Sequence, residues 1–310
     1  MRIAHFSDLH VLDLDGVGAH RFLNKRATGY AMLRMNRSHV HRSAFVRAIA
    51  RAITESKADH VVVTGDLTNL ALETEFAAVR RIFDEDLRFS PHDVSIVPGN
   101  HDLYTRGALN SRRFATYFGD YMTSDLPGLA VAVGPGQFPF VRLRGPAAIL
   151  GLSSAVPRMP LVASGKLGKA QLHALANILR HPEVTKRTPV VLMHHPAHNP
   201  LSKVRTLLRG LEDAALFFST LEDVPAGLLL HGHLHRRIRR TWSTKRGTMQ
   251  SVGATSASLH HDDETRMAGF NVYEIEEGGA VGQVDARVFD SAKETFRVAQ
   301  VPTLARHANY

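Results

Sequence analysis

Five short stretches of this chain place metal-binding or proton-carrying side chains directly after apolar runs. Asp8 and His10 follow residues 3–6, Asp66 follows 60–64, and Asn100, His101 and Asp102 follow 94–97. His194 and His195 come after 189–193, and His233 and His235 after 228–230. Imidazole, carboxylate and amide oxygen together suit first-row metals, and with no cysteine in the chain thiolate ligands and disulfides are excluded. Taken singly, each stretch is ordinary. Asn and Asp after Pro98-Gly99 form turns on their own account, and a histidine beside an apolar run usually serves core or surface. Five such ends in one chain point instead to a shared site.

The spacing supports convergence. Asp8 and His10 are two apart, as are His233 and His235, so an extended segment would project each pair to one side. Gly65, Gly99 and Gly232 stand where a tight turn or a close backbone approach would exclude a Cβ. Asp8, His10, Asp66, Asn100, His194, His233 and His235 are more ligands than one ion takes. Two ions about 3.5 to 4 Å apart, bridged by a carboxylate, need a mixed set of this kind and clamp both oxygens of a displacement at phosphorus. Asp66 is the natural bridge.

These residues meet only if the elements between them bring the strand ends together. Over 43–57, Phe45, Ala48, Ile49, Ala52 and Ile53 keep the spacing of one buried helix face, while Arg47 and Arg51 point away. Helices are also expected over 73–87, 169–179 and 212–221, and a further strand, without ligands at its end, over 147–152. Apolar strands separated by helices imply a sheet buried on both faces, with its site beyond the carboxyl ends of the strands. After about Gly247 strands such as 269–275 and 284–289 follow without helices, which predicts a second, more antiparallel sheet packed on the first within one domain. A hydrophobic content of 44% is ample for the core this requires.

Asp8-x-His10, Gly65-Asp66, Gly99-Asn100-His101-Asp102, His194 before His195-Pro196, and Gly232-His233-x-His235 resemble, in order, the five motifs of the calcineurin-like metallophosphoesterases. The likeness is to the bacterial cyclic-nucleotide phosphodiesterase branch and spans residues 8 to 235. It implies an α/β fold, a four-layer αββα sandwich of two mixed β-sheets flanked by helices, with one metallophosphoesterase domain over 1–310. It implies two metal ions, drawn from manganese, iron, zinc or cobalt. Asp8, His10, Asp66 and His235 would hold one, and Asp66, Asn100, His194 and His233 the other. His194 is preferred to His195 because the family's ligand lies two residues before the proline. Asn100, His101 and His195 would touch substrate. A hydroxide bridging the ions would attack phosphorus, and His101, its ring oriented by Asp102, would protonate the leaving oxygen or hold the phosphate. The expected activity is phosphodiester hydrolysis of the EC 3.1.4 type.

A formal charge of +9 favours anionic partners. Residues 16–54 contain no Asp or Glu, yet Arg21, Lys25, Arg26, Arg34, Arg37, Arg42, Arg47 and Arg51 alternate with apolar side chains such as Phe22, Leu23 and Tyr30. The segment predicts a basic helical insertion, with a cap at 16–42 that grips an anionic phosphoester, rests on acidic lipid headgroups, or is plain solvated surface. Its lipid form gives the alternative activity, hydrolysis of a lipid-linked phosphoester or pyrophosphate of the lipid A precursor type at the membrane surface. Arg236, Arg237, Arg239 and Arg240 could track a nucleic-acid backbone but lack the aromatic platforms that single strands need. A catalytically silent scaffold of the same fold is the remaining class. Serine chemistry and a P-loop are excluded by the lack of a Gly-x-Ser-x-Gly elbow and by the incomplete Ser164-Gly165-Lys166 match. With no charged leader and no apolar window near the ~18 residues of a spanning helix, the expected place is the cytoplasm, or the inner-membrane surface under the lipid alternative.

Overall fold

The computed structural model describes residues 1–36, 42–199 and 202–304, without side chains for 32–36. Among the described residues fourteen strands run in chain order. They are β1 Arg2–Phe6, β2 His60–Val63, β3 Val94–Ile96, the hairpin β4 Val131–Val133 and β5 Gly136–Phe138, then β6 Phe140–Arg144 and β7 Ala147–Gly151. There follow β8 Thr188–Leu192, β9 Ala226–His231, β10 Ile238–Ser243, β11 Thr248–Gly253, β12 Gly269–Ile275, β13 Val281–Asp290 and β14 Thr295–Gln300. Two six-stranded mixed sheets result, ordered β14-β13-β12-β1-β2-β3 and β10-β11-β9-β8-β7-β6.

The parallel ligand-bearing strands are shared between the sheets, and this corrects one expectation. The C-terminal strands do not make a sheet of their own. β12 pairs antiparallel with β1, Ile3 opposite Tyr273 and His5 opposite Asn271, so β12–β14 extend the first sheet. The second sheet grows around β7, β8 and β9, which run parallel. Hydrophobic periodicity marks a run as a strand but carries no information about its partner.

Alternation along each strand explains the layers. In β7, Ile149 joins a core shared with Phe6, Val62 and Ile96 of the first sheet, while Leu150 faces Leu172, Leu175 and Phe217 on the outer side. The helix Ser43–Glu55 covers the first sheet with Phe45, Val46, Ile49 and Ile53 buried. Glu73–Ile82 packs on the same side, and a single wider turn, Phe83–Leu87, completes the predicted 73–87 span. Lys169–Leu179 and Ala214–Thr220 cover the second sheet. The αββα sandwich is thus the arrangement that buries both faces of the central strands of both sheets, while β14 at the edge stays largely exposed.

The insertion forms a short turn, Ala19–Phe22, and a helix, Lys25–Asn36. Much of its positive charge is spent within the protein. Arg21 pairs with Glu73 at 2.5 Å, Arg47 and Arg51 with Asp86 at 2.5 and 2.7 Å, and buried Arg26 donates to the Leu70 and Ala71 carbonyls at 2.7 and 3.1 Å. Arg37, and the side chain of Arg34, lie outside the described residues. The arginine cluster after the last ligands is also divided, because Arg237 and Arg240 are buried. Arg237 donates to the Glu264 and Met267 carbonyls, so this stretch is no continuous phosphate track.

Candidate metal centre

The turns after β1, β2 and β3 meet the turns after β8 and β9 along one edge of the sandwich. Hydrogen bonds stitch them together: the Asp8 amide donates to Gly65 O at 2.9 Å, the His10 amide to Asp66 O at 3.0 Å, and the His233 amide to the Asp8 carboxylate at 3.1 Å. Where they touch, glycine is required by space. A Cβ on Gly99 would collide with the Asp66 amide and carboxylate, and one on Gly232 with Ser7 and Asp8. The ligand pairs reach the site differently from the expectation of an extended segment. Asp8, His10, Asp66, His233 and His235 all have positive φ, between 47° and 68°. Left-handed backbone in non-glycine residues costs on the order of 1–3 kcal/mol each and persists where the surroundings over-determine it. Here it turns successive side chains inward from a chain that has already left the sheet.

The donor atoms form two overlapping groups. In one, His235 Nε2 lies 3.2 Å from Asp8 Oδ1 and 3.0 Å from His10 Nε2. In the other, Asn100 Oδ1 lies 3.1 Å from both His194 Nε2 and His233 Nδ1, which are themselves 3.2 Å apart. Asp66 stands between them, its Oδ2 3.3 Å from His194 Nε2 and 3.9 Å from His10 Nε2. Ligand atoms of Asp8, His10 and His235, and likewise of Asp8, Asp66 and His194, all fall within 4.8 Å of one another.

The tautomers show what this arrangement requires. His194 donates through Nδ1 to Thr64 O at 2.7 Å, and His233 through Nε2 to Arg209 O at 3.0 Å. In the neutral rings the facing atoms, His194 Nε2 and His233 Nδ1, therefore both carry lone pairs. Such atoms approach only around a positive charge. Two ring nitrogens bound to one ion at about 2.1 Å on neighbouring corners stand about 3 Å apart, so nitrogen, carboxylate and amide oxygen here fit metal ions in number, type and spacing. The electrostatics show the same demand for positive charge, which a proton on His194 Nε2 meets when no ion is bound. Burial opposes a charge on His194, but the Asp66 carboxylate outweighs it and raises the imidazole pKa to about 9. Burial and the charge of His194 hold His233 well below its ordinary value. Burial likewise opposes the charge on Asp66, yet His194, His101 and His10 hold its carboxyl well below the usual range.

His101 lies beside this group. Its amide donates to Asp66 Oδ1 at 2.7 Å, its Nδ1 to Asn69 O at 2.7 Å, and its ring packs edge-on to His10 and flat on Tyr104, with centroids 5.0 and 5.4 Å away. A ring nitrogen falls within 4.8 Å of ligand atoms of His10 and Asp66.

Two expectations need correction. Asp102 does not orient the His101 ring: its Oδ1 accepts from the Thr68 amide and hydroxyl at 3.0 and 3.1 Å, and its Oδ2 from the Gly99 amide at 2.9 Å. Fully buried, and facing the Asp66 charge, its carboxyl is pushed up to about 7. The ring is held by the Asn69 carbonyl instead. His195 sits near His194 and His233, but both its nitrogens are taken, Nδ1 by Ser154 Oγ at 2.8 Å and Nε2 by Ala163 O at 2.9 Å. Burial keeps it neutral, the charges of His233 and His194 acting the same way, so it is a fixed part of the wall rather than a substrate contact.

Sequence reasoning missed Asn69, whose side chain also donates to His10 O at 2.5 Å, and Glu75, which accepts from the Leu70 and Leu72 amides at 2.9 and 3.0 Å. Glu75 carried a usable signal, an acid in the first turn of a predicted helix. The carbonyls of Thr64, Asn69 and Arg209 carried none.

The profile of the calcineurin-like phosphoesterase family matches residues 1–237. Among solved structures, a dimetal phosphatase from Danio rerio superposes with a TM-score of 0.57 at 15% identity, covering 93% of this chain and 95% of that one. A purple acid phosphatase from yellow lupin seeds gives a TM-score of 0.57 at 10% identity, over 96% of this chain and 52% of that one. No curated protein matches the chain in sequence. Identities this low speak for the fold alone. The profile runs through every turn that carries a donor atom, and the chain accordingly belongs to the calcineurin-like phosphoesterases, a family of metal-dependent phosphoester hydrolases.

Proposed function

We propose that the protein is a two-metal phosphodiesterase. The observation that carries the reading is the facing of lone-pair nitrogens across Asn100 and Asp66, an arrangement built for cations. Asp8, His10, Asp66 and His235 would hold one ion, and Asp66, Asn100, His194 and His233 the second. When bound, the pair supplies Lewis acidity and a nucleophile from water at neutral pH. The oxygen of that water bonds to phosphorus, the P–O bond to the leaving group breaks, and the leaving oxygen takes up a proton.

His101 is assigned that proton. With Nδ1–H donating to Asn69 O, the imidazolium form carries its second proton on Nε2, which is the proton assigned to the leaving oxygen, and the Tyr104 and His10 rings fix the plane of the ring. Thr64 O and Arg209 O hold the His194 and His233 tautomers, so each presents a lone pair inward. The insertion at 16–42 is assigned as a cap. Lys25 lies 4.3 Å from the centre of the Tyr104 ring and donates to Arg158 O at 3.0 Å, leaving further N–H bonds for an anionic substrate. Preference for a diester rests on the motif likeness to the cyclic-nucleotide branch.

The test is elemental analysis of purified protein with hydrolysis of chromogenic phosphodiester and monoester substrates, with and without added manganese. About two metal ions per chain and manganese-dependent turnover favouring the diester are expected. A chain that binds metal but cleaves neither ester is a silent scaffold, and the proposal fails.

A second reading, a lipid-linked phosphoester or pyrophosphate as substrate, is favoured by the same insertion, whose Leu23 projects into solvent two residues from Lys25. Comparing an acylated with a water-soluble phosphoester separates the two readings.

A further inference from the structure

The helix Lys203–Arg209, sequence KVRTLLR, has no buried residue. Its apolar positions Val204, Leu207 and Leu208 have the i, i+3, i+4 spacing of a single helix face, yet that face is exposed. It has neighbours of the same character. Leu208 O accepts from the Ala163 amide at 2.7 Å, which joins the helix to the loop that exposes Met159 and Leu161. Lys25 joins that loop to the insertion through Arg158 O, and there Leu23 is exposed. Leu23, Met159, Leu161, Val204 and Leu207 are each 65% to 86% exposed, and among the described residues only Val298, on the outer strand β14, approaches them at 62%.

Two features say what covers this rim. The rim stretches themselves, 19–25, 157–163 and 202–210, contain no Asp or Glu, Glu212 at their edge is already paired with Arg158, and Lys203, Arg205 and Arg209 stand on the exposed helix itself. A second copy of the chain, itself at +9, offers little charge to match, whereas a bilayer of anionic lipid matches both the cations and the apolar side chains. The rim also adjoins the site, because Arg209 O is the partner of His233 Nε2.

We infer that this rim is a docking surface for an anionic lipid bilayer, with Val204 and Leu207 entering the headgroup region. The inference does not depend on which phosphoester is cut. None of the described helices is long and apolar enough to cross a membrane, so the contact is peripheral.

Flotation of the metal-loaded protein tests it, with phosphatidylcholine vesicles containing phosphatidylglycerol against vesicles of phosphatidylcholine alone. Wild type should float with the anionic vesicles, salt should weaken the binding, and the double variant Val204→Asp, Leu207→Asp should bind about tenfold or more weakly. In the same preparation, manganese-dependent hydrolysis of a water-soluble phosphodiester reports separately on the catalytic assignment. Wild type that stays unbound, or a double variant that binds like wild type, overturns the docking surface whatever the hydrolysis shows. So does a wild-type dimer that the double variant dissolves, since the face would then belong to a second copy.

Discussion

At the floor of the site Asp8, Asp66 and His194 are shut away from solvent, and each neighbouring turn is fixed by backbone hydrogen bonds under local strain. At the rim, Arg209 still reaches a floor residue through its carbonyl, but Leu161, Val204 and Leu207 on the same segments have no packing partner that hides them. The contrast teaches where change can be absorbed. A floor built on unfavourable backbone and contacts with no spare space has few alternatives, so substitution there should remove chemistry outright. The rim has nothing to unpack, and substitution there should alter where the protein sits rather than what it does.

Asp66→Ala probes the floor most severely: phosphoester turnover should fall at least about a thousandfold and bound metal should be lost. Retained metal in that variant would rule out Asp66 as the proposed bridge. His101→Ala should keep its metal by elemental analysis and lose about a hundredfold in kcat, more on esters with poor leaving groups. Equal loss on good and poor leaving groups would rule out proton donation. Gly99→Ala places a methyl against the Asp66 carboxylate and should cost about 1–3 kcal/mol in urea unfolding. If its stability is unchanged, the contact between the β2 and β3 turns is looser than described.

Glu75 sharpens the comparison at the underside of the floor. Burial pushes its carboxyl up to about 8 from an ordinary value of 4.5, so the folded state holds a proton that the unfolded chain releases. Folded protein therefore binds more protons across that window, and stability falls as pH rises from about 4.5 to about 8. Glu75→Gln should remove that slope and unfold at a higher urea concentration above pH 8, by about 2 kcal/mol. Parallel pH profiles for the two proteins would show that the carboxyl is ionised throughout. The smallest effect belongs to the rim, where Val204→Asp with Leu207→Asp should leave kcat/KM on a soluble phosphodiester within about twofold. A large loss there would mean that the exposed helix belongs to the floor.

That these side chains would meet was readable because side-chain type and position after an apolar strand are both sequence properties. Asp8, His10, Asp66, Asn100, His194, His233 and His235 converge for that reason. The route by which they converge was not readable, since Asp8 and His10 share a site through left-handed turns rather than the alternation of an extended strand. His194 and His195 show the other limit. One faces Asn100 and its neighbour faces Ser154 and Ala163, a choice made by a hydroxyl and a carbonyl far away in the chain. Asp102 failed as an orienting residue for the same reason, because the amides of Thr68 and Gly99 compete for it. In the fold, helices such as Lys169–Leu179 and strands such as Gly269–Ile275 follow their patterns closely, whereas the joining of β12 to β1 depends on long-range pairing.

The bond from His194 Nδ1 to Thr64 O crosses from the end of β8 to the end of β2, and so from one sheet to the other. Asn100, on the first sheet's side, meets His194 and His233 on the second's. Ions captured here would act as rivets through both halves of the sandwich, and a ligand that binds only the closed arrangement stabilises it by mass action. Stripping them with a chelator should therefore let the two layers part more readily along this edge than at its opposite end.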